Sequence, residues 1–82
     1  MNVHIYDTHV TTDDNQYLHF DVLVNDLNVD KVKQYADDYL NSLGITASNI
    51  RQASCQFCHS ELANPEVQSA IEQKGHAIIR LS

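Results

Sequence analysis

Two alternating runs of apolar and polar residues open the chain, one over residues 3–10 and one over residues 17–24, with a polar segment between them. Alternation with a period of two is typical of strands, because successive side chains of a strand point to opposite faces of the sheet. Two such runs around a short polar loop predict a β-hairpin.

The register of the hairpin is predicted from its apolar side chains, which a one-residue slip would turn to the other face. The predicted pairs are Val3 with Val24, Ile5 with Val22, Asp7 with Phe20 and His9 with Leu18. This register places the Asp7 carboxylate at the edge of the apolar face, where a buried group without a partner is costly. We therefore expect Asp7 to bond a backbone amide, Thr8 or a histidine, and a structural role is favoured over a catalytic one.

The opposite face of the predicted hairpin is polar and aromatic. It carries His4, Tyr6, Thr8, Tyr17, His19 and Asp21. Tyrosine and histidine suit interfaces because they combine apolar area with a polar group, while a solvated outer face is common in antiparallel hairpins. Both interpretations stay open, and catalysis ranks below them because no nucleophile and base can be placed together. The candidate ligand or interface residues are Tyr6, Asp7, His19 and Asp21.

Two helices are predicted after the hairpin. Apolar residues at intervals of three and four over residues 29–43 predict the first helix, with Asn28 as its N-cap. The second helix has Asn64 as its N-cap, Pro65 at its first position and Gly75 at its end. These are the residues that helix termini favour.

Two further strands, over residues 50–57 and 76–81, complete the predicted order ββαβαβ. This order indicates an α+β fold in which two helices pack against one mixed four-stranded sheet. Residues 1–82 are expected to form one domain, since domains commonly contain about 50 to 200 residues. The pattern does not specify the order of the strands within the sheet.

The charge balance and the hydropathy of the chain exclude two classes of partner. The chain has 11 acidic and 5 basic residues, a formal net charge of −6, whereas binding to nucleic acid or an anionic membrane depends on lysine and arginine. No apolar run approaches the roughly 20 residues that span a bilayer. Residues 1–6 are typical of a strand rather than an export signal, so we expect a cytoplasmic protein whose two cysteines are thiols.

The segment Cys55-Gln56-Phe57-Cys58-His59 carries the most recognisable chemistry of the chain. Zinc favours four cysteine or histidine ligands. The candidate ligands are Cys55, Cys58, His59 and His76, with His9, His4 and Asp7 as alternatives for the fourth position. Residues three apart in a strand point to opposite faces, so both sulfurs reach one ion only if the strand ends near Phe57 and a loop follows over 58–63. Without a second Cys-x-x-Cys, the segment is half of a zinc motif.

This segment has three other interpretations besides zinc binding. Thiol–disulfide redox chemistry favours a cysteine at a helix N-terminus, but the second helix is predicted to begin six residues after Cys58. Covalent haem attachment matches the letters of the motif, but the only methionine available as an axial ligand is Met1. In the plainest interpretation, Cys55 and Phe57 pack in the core while Cys58 and His59 shape the following loop.

Three motifs of the chain, followed by a Pro-Glu-Val helix start and a final strand, resemble one bacterial family. The motifs are His4-Ile5-Tyr6-Asp7-Thr8, His19-Phe20-Asp21-Val22 and Cys55-Gln56-Phe57-Cys58-His59-Ser60. The family is the domain-of-unknown-function family two thousand and twenty-four, and the resemblance spans nearly the whole chain. It implies a small single-domain α/β protein and brings no established activity, cofactor or substrate.

The function expected from the sequence is that of a small binding or interaction module without catalysis and without a cofactor. The alternative is a zinc-binding domain that uses the Cys-x-x-Cys-His segment, and the third hypothesis is a thiol–disulfide redox protein. A homodimer formed through the outer sheet face is one expected assembly. The sequence does not identify a protein or small-molecule partner.

Overall fold

The structure is a computed structural model and describes residues 1–82. Its strands and helices are β1 (Asn2–Thr12), β2 (Tyr17–Val24), α1 (Val32–Ser42), β3 (Ile50–Leu62), α2 (Pro65–Lys74) and β4 (Ala77–Arg80). Two short 3-10 helices, Asp26–Lys31 and Ala47–Asn49, precede α1 and β3 respectively. The α+β class, the order ββαβαβ and the two helices are confirmed.

The four strands form one sheet in the order β3-β1-β2-β4, and every neighbouring pair is antiparallel. The prediction of a mixed sheet was therefore wrong. The hairpin strands occupy the two central positions, so each helical connection leads to an outer edge of the sheet. There the arriving strand meets a neighbour that runs in the opposite direction, which a pattern of elements along the chain does not reveal.

The observed register of the hairpin differs by one residue from the predicted one. Asp7 lies opposite Asp21, Thr8 lies opposite Phe20, and His9 lies opposite His19. The prediction assumed that the hairpin buries one face, but both of its faces are covered, each by a different helix. Three consecutive residues of β2, Val22, Leu23 and Val24, are accordingly all buried.

The two faces of the sheet carry separate cores. The α1 face combines Val10, Leu18, Phe20, Val22 and Val24 with Val32, Ala36 and Leu40 of the helix and with Ile45. The α2 face combines Val3, Ile5, Leu23 and Ala77 with Val67 and Ile71 of the helix. Burial of this apolar area is the main favourable contribution to folding. The second core covers only one end of its face.

The helix termini follow the sequence in one case and depart from it in the other. At α2, the Asn64 side chain accepts a hydrogen bond of 2.8 Å from the Val67 N–H, and Gly75 ends the helix at φ 86°. At α1, the helix begins at Val32 after a 3-10 turn, rather than at residue 29. Asn28 is not its cap, because it lies inside the preceding 3-10 helix. Its side-chain amide instead donates to the Gly75 carbonyl at 3.1 Å and joins the two helical regions.

Strand β3 is longer than predicted and includes the whole Cys-x-x-Cys-His segment. A bulge lies at Cys58, because Phe57 pairs with Tyr6 and His59 pairs with Ile5. The loop expected over residues 58–63 is thus replaced by strand as far as Leu62. The long partner β1 explains the difference, since it offers backbone groups along its full length.

Candidate functional site

Helix α2 covers only one end of its face of the sheet, and the other end of that face is polar. We call it the open sheet face and define it by Asp7, His9, Tyr17, His19 and Asp21. These side chains lie on one side of the sheet, because Asp7 pairs with Asp21 and His9 pairs with His19 across the β1–β2 ladder. The hairpin thus gathers acidic and imidazole groups from two strands.

The centre of the open sheet face is the Asp7 carboxylate, which accepts a hydrogen bond from each of two histidines. Its Oδ2 lies 2.7 Å from His9 Nε2, and its Oδ1 lies 2.5 Å from His19 Nε2. The side chains of Asp7, His9 and His19 are 35%, 38% and 26% exposed. One potential ligand atom from each lies within 4.8 Å of the others.

The orientation of the two imidazoles is fixed by neighbouring groups. The His9 and His19 rings stack with their centroids 4.1 Å apart and an angle of 15° between their planes. The Tyr17 hydroxyl hydrogen-bonds to His9 Nδ1, on the opposite side of the ring from Asp7. The hydrogen bond that one ring nitrogen makes determines which nitrogen carries the proton and how the other nitrogen is oriented.

The two carboxyls of the open sheet face have pKa values that move in opposite directions. The hydrogen bond from His19 lowers the pKa of Asp7, burial works against this, and the bond from His9 adds to the lowering. Burial raises the pKa of Asp21, and a hydrogen bond shared with Asp7 and the charge of Asp7 raise it further. Of the two, Asp7 is therefore the group that ionises first as the pH rises.

Two imidazole nitrogens and one carboxylate oxygen form a donor set that suits divalent transition metals. Zinc sites with three protein ligands use such combinations and keep a fourth position for water or substrate. The same two-histidine, one-carboxylate set also binds ferrous iron in a facial arrangement. The open sheet face is thus chemically equipped to hold one metal ion at a half-buried position.

Of the four residues predicted to bind zinc, only Cys58 and His59 contact each other. The Thr8 hydroxyl donates to Cys55 Sγ at 3.3 Å, on the α1 face of the sheet. Cys58 Sγ lies 3.2 Å from His59 Nδ1, and the other ring nitrogen of His59 lies 3.2 Å from Glu61. His76 stacks on Tyr35 with ring centroids 4.1 Å apart.

The group of ligand atoms that the structure brings together contains none of these four residues. The reason lies in β3, which stays extended through the segment. Both cysteines are free thiols and exposed. Zinc binding by Cys55, Cys58, His59 and His76 stays a prediction that these contacts do not test.

Three of the four residues predicted for a ligand or interface face, Asp7, His19 and Asp21, do lie on the open sheet face. Tyr6 does not, because it pairs with Val22 on the α1 face and packs edge-on against Phe57 at 5.6 Å. The one-residue difference in register also moves Thr8, which is buried, to the α1 face.

Sequence reasoning did not place His9 in the site, because the predicted register put it beside Leu18. The signal was present in β1, since Asp7 and His9 are two residues apart and therefore share a face. Adding His19 required the register of the hairpin. The site depends on both strands.

Fold and site together define a small α+β domain, with one helix on each face of an antiparallel sheet and an Asp–His cluster beside the second helix. The chain belongs to the family described as "Domain of unknown function (DUF2024)", whose model matches residues 1–81. It is similar to protein NE1680 from Nitrosomonas europaea, whose NMR structure was a target of the Northeast Structural Genomics Consortium. The two are 36% identical with a TM-score of 0.77, over 100% of this chain and 96% of that chain.

No curated protein matches the chain. Its helices are all too short or too polar to cross a membrane.

Proposed function

We propose that this protein is a small binding module that holds one divalent transition-metal ion, such as Zn²⁺, on the open sheet face. Asp7, His9 and His19 are the ligands. The observation that carries the proposal is the convergence of their ligand atoms within 4.8 Å of one another from two adjacent strands. These zinc ligands are different residues from those of the Cys-x-x-Cys-His segment.

The distances support an ion held between the three side chains. Zinc–nitrogen bonds of about 2.0–2.1 Å in a tetrahedron place neighbouring ligand atoms about 3.4 Å apart. Because the three atoms lie within 4.8 Å of one another, small side-chain rotations bring them to that spacing. Each histidine contacts a separate oxygen of Asp7, so an ion can enter between imidazole and carboxylate without a change in the backbone.

The protonation states of the three side chains also support metal coordination. A metal-bound Nε2 requires the tautomer that carries its proton on Nδ1. In His9 that Nδ1–H faces the Tyr17 hydroxyl, which can accept it. Asp7 supplies the negative charge, because its lowered pKa keeps it ionised. Hydrogen bonds from the ring nitrogen that does not bind the metal orient metal-binding histidines in many proteins.

Three protein ligands leave at least one coordination position of the ion free. In this proposal the free position faces away from the sheet, on the part of the face that α2 does not cover. A water, a small anion or a carboxylate of another protein can complete the shell there. This is the sense in which we propose a binding module rather than an enzyme. A reducing cytoplasmic location is part of the proposal, and Cys55 and Cys58 are expected to stay thiols there.

The experiment is a zinc titration of the purified full chain by calorimetry, with native mass spectrometry for the stoichiometry. One ion per chain is expected. The variants Asp7→Asn, His9→Gln and His19→Gln should each weaken binding by about 100-fold or more, since the loss of a ligand costs at least as much as the loss of its supporting group. Circular dichroism checks that each variant is folded.

Two controls distinguish this site from the Cys-x-x-Cys-His segment. His76→Gln is a matched histidine substitution outside the cluster and should leave the zinc affinity unchanged. The double variant Cys55→Ser/Cys58→Ser should also bind zinc as the wild type does. Retained binding in Asp7→Asn, together with lost binding in the double cysteine variant, would refute the proposal.

A further inference from the structure

The two edges of the sheet are protected to very different degrees. The edge strand β4 has four residues, whereas the edge strand β3 has 13. β3 pairs with β1 on one side only, and its residues from Arg51 to Leu62 are exposed. Natural proteins usually protect a long edge with lysine, proline or another charge, but no charged residue or proline occurs between Arg51 and Glu61.

We infer that β3 pairs with β3 of a second copy of this chain, which joins two four-stranded sheets into one. A two-fold symmetric pair of antiparallel strands uses the same edge on both copies, so it closes the assembly at two subunits. The backbone N–H and C=O groups on the outer side of β3 then gain partners. This edge differs from the outer sheet face that the sequence suggested for a homodimer.

The charges of β3 match this occupant. In a fully overlapped antiparallel pair, opposite positions are equidistant from Gln56, the middle residue of the strand. Arg51 then lies opposite Glu61 of the second copy, and the pair occurs twice by symmetry. Directly opposed residues of unlike charge stabilise antiparallel strands, and like charges oppose them. Arg51 and Cys58 are the extra residues of two bulges in the β1–β3 ladder. A bulge shifts strand pairing by about one residue, which keeps Arg51 and Glu61 of the two copies as neighbours.

The apolar side chains of β3 support the same pairing. Phe57 is 56% exposed and Leu62 is 76% exposed. Full overlap places Phe57 near Cys55 of the second copy, and Leu62 opposite Ile50 of the second copy. Cys55 and Ile50 line a groove of about 540 Å³ between α1 and the β1–β3 side of the sheet. The groove thus lies where an aromatic side chain of the second copy arrives.

The first test is the mass of the full chain in solution, measured by sedimentation over a dilution series. EDTA is present throughout, so that an ion shared between copies does not contribute. A dimer is expected for the wild type. Phe57→Lys should yield monomer. Arg51→Glu should raise the dissociation constant of the dimer by about tenfold. Adding Glu61→Arg to Arg51→Glu should restore it.

The second test places a thiol on the symmetry axis. In the Cys55→Ser/Cys58→Ser background, Gln56→Cys should form an intermolecular disulfide under mild oxidation, because opposite residues of antiparallel strands lie within disulfide distance. Gln52→Cys, on the same strand but away from the axis, is the matched control and should not. A wild-type chain that is monomeric at every concentration overturns the inference. A dimer unaffected by Phe57→Lys, or one that links equally through Gln52→Cys, overturns it as well.

Discussion

The β1–β2 hairpin and the edge strand β3 both carry side chains that bind metals, but they arrange them differently. In the hairpin, Asp7, His9 and His19 are separated along the chain and meet within 4.8 Å. In β3, Cys58 and His59 contact each other, whereas Cys55 accepts a hydrogen bond from Thr8, so the three do not form one group of ligand atoms. The hairpin lies in the centre of the sheet, whereas β3 has one free edge.

The difference follows from the geometry of extended chain. A strand distributes nearby residues between its two faces, while a pair of strands places residues that are distant in sequence directly opposite each other. The backbone of the central hairpin is held by a neighbouring strand on each side and by the α1 core on one face, so the proposed ligands project from fixed backbone positions. This contrast favours the hairpin as the metal site and leaves β3 for contact with another chain.

The largest expected effect concerns the stability of the two regions. Phe20 is fully buried beneath α1, whereas Phe57 is 56% exposed. Phe20→Ala should lower the free energy of unfolding by about 3–5 kcal/mol, and Phe57→Ala by less than about 1 kcal/mol in the monomer. Urea unfolding at low protein concentration measures both. Equal losses would show that β3 is as firmly packed as the hairpin.

The next effect is the stabilisation of the hairpin by zinc. An ion that binds only the folded chain raises the free energy of unfolding by about 2.7 kcal/mol at a concentration 100 times the dissociation constant. Thermal unfolding should therefore shift upward with zinc in the wild type and in Cys55→Ser/Cys58→Ser. The shift should vanish in His19→Gln. An upward shift that instead depends on the cysteines would move the site to β3.

A smaller effect is the pH dependence of the metal-free protein. Since the pKa of Asp7 is lowered in the folded state, its contribution to stability is present above its unfolded pKa of 3.8 and is lost as the pH falls through the lower folded value. Asp21 acts in the opposite sense. Its raised pKa makes a contribution that is present below 3.8 and is lost as the pH rises through the folded value.

The opposite signs can be checked with two variants in EDTA. Asp21→Asn should stabilise the protein by about 0.5 kcal/mol at neutral pH, because it removes a negative charge beside Asp7. Asp7→Asn should destabilise it there and flatten the loss of stability below pH 4. Urea unfolding from pH 3 to pH 7 provides the comparison. Destabilisation by Asp21→Asn at neutral pH would contradict the assignment of the two carboxyls.

The smallest effect is expected at the cysteines. Both are exposed and free, so Cys55→Ser/Cys58→Ser should change the free energy of unfolding by no more than about 0.5 kcal/mol. The matched comparison is Thr8→Val, which removes the hydroxyl that donates to Cys55 from a buried position. A large loss of stability in the double cysteine variant would show that β3 depends on its thiols.

Local signals in the sequence predicted the parts of the fold that local interactions determine. Asn64, Pro65 and Gly75 mark the ends of α2 as expected, because a cap and a left-handed glycine act within one turn of the helix. The hairpin was predicted from alternation. Its predicted register was wrong by one residue, because Ile5 and Val22, which the prediction paired, belong to different cores. Alternation alone does not say that a sheet is covered on both faces.

The candidate site was only partly predictable for the same reason. Asp7, His19 and Asp21 were singled out, but the register separated Asp7 from the other two and placed His9 beside Leu18. Strand order and the full length of β3 depend on contacts distant in sequence, so the motif at Cys55 was expected to end in a loop. The antiparallel pair His9–His19 is the contact that assembles the site.

The most direct test of the metal site is a zinc titration followed through the imidazole nitrogens of all five histidines by NMR. With one equivalent of zinc, the Nε2 resonances of His9 and His19 should move to the positions of metal-bound nitrogen. Those of His4, His59 and His76 should stay in place. Metal-bound signals from His59, with shifts in the Cβ resonances of Cys55 and Cys58 and none at His9 and His19, would contradict the account.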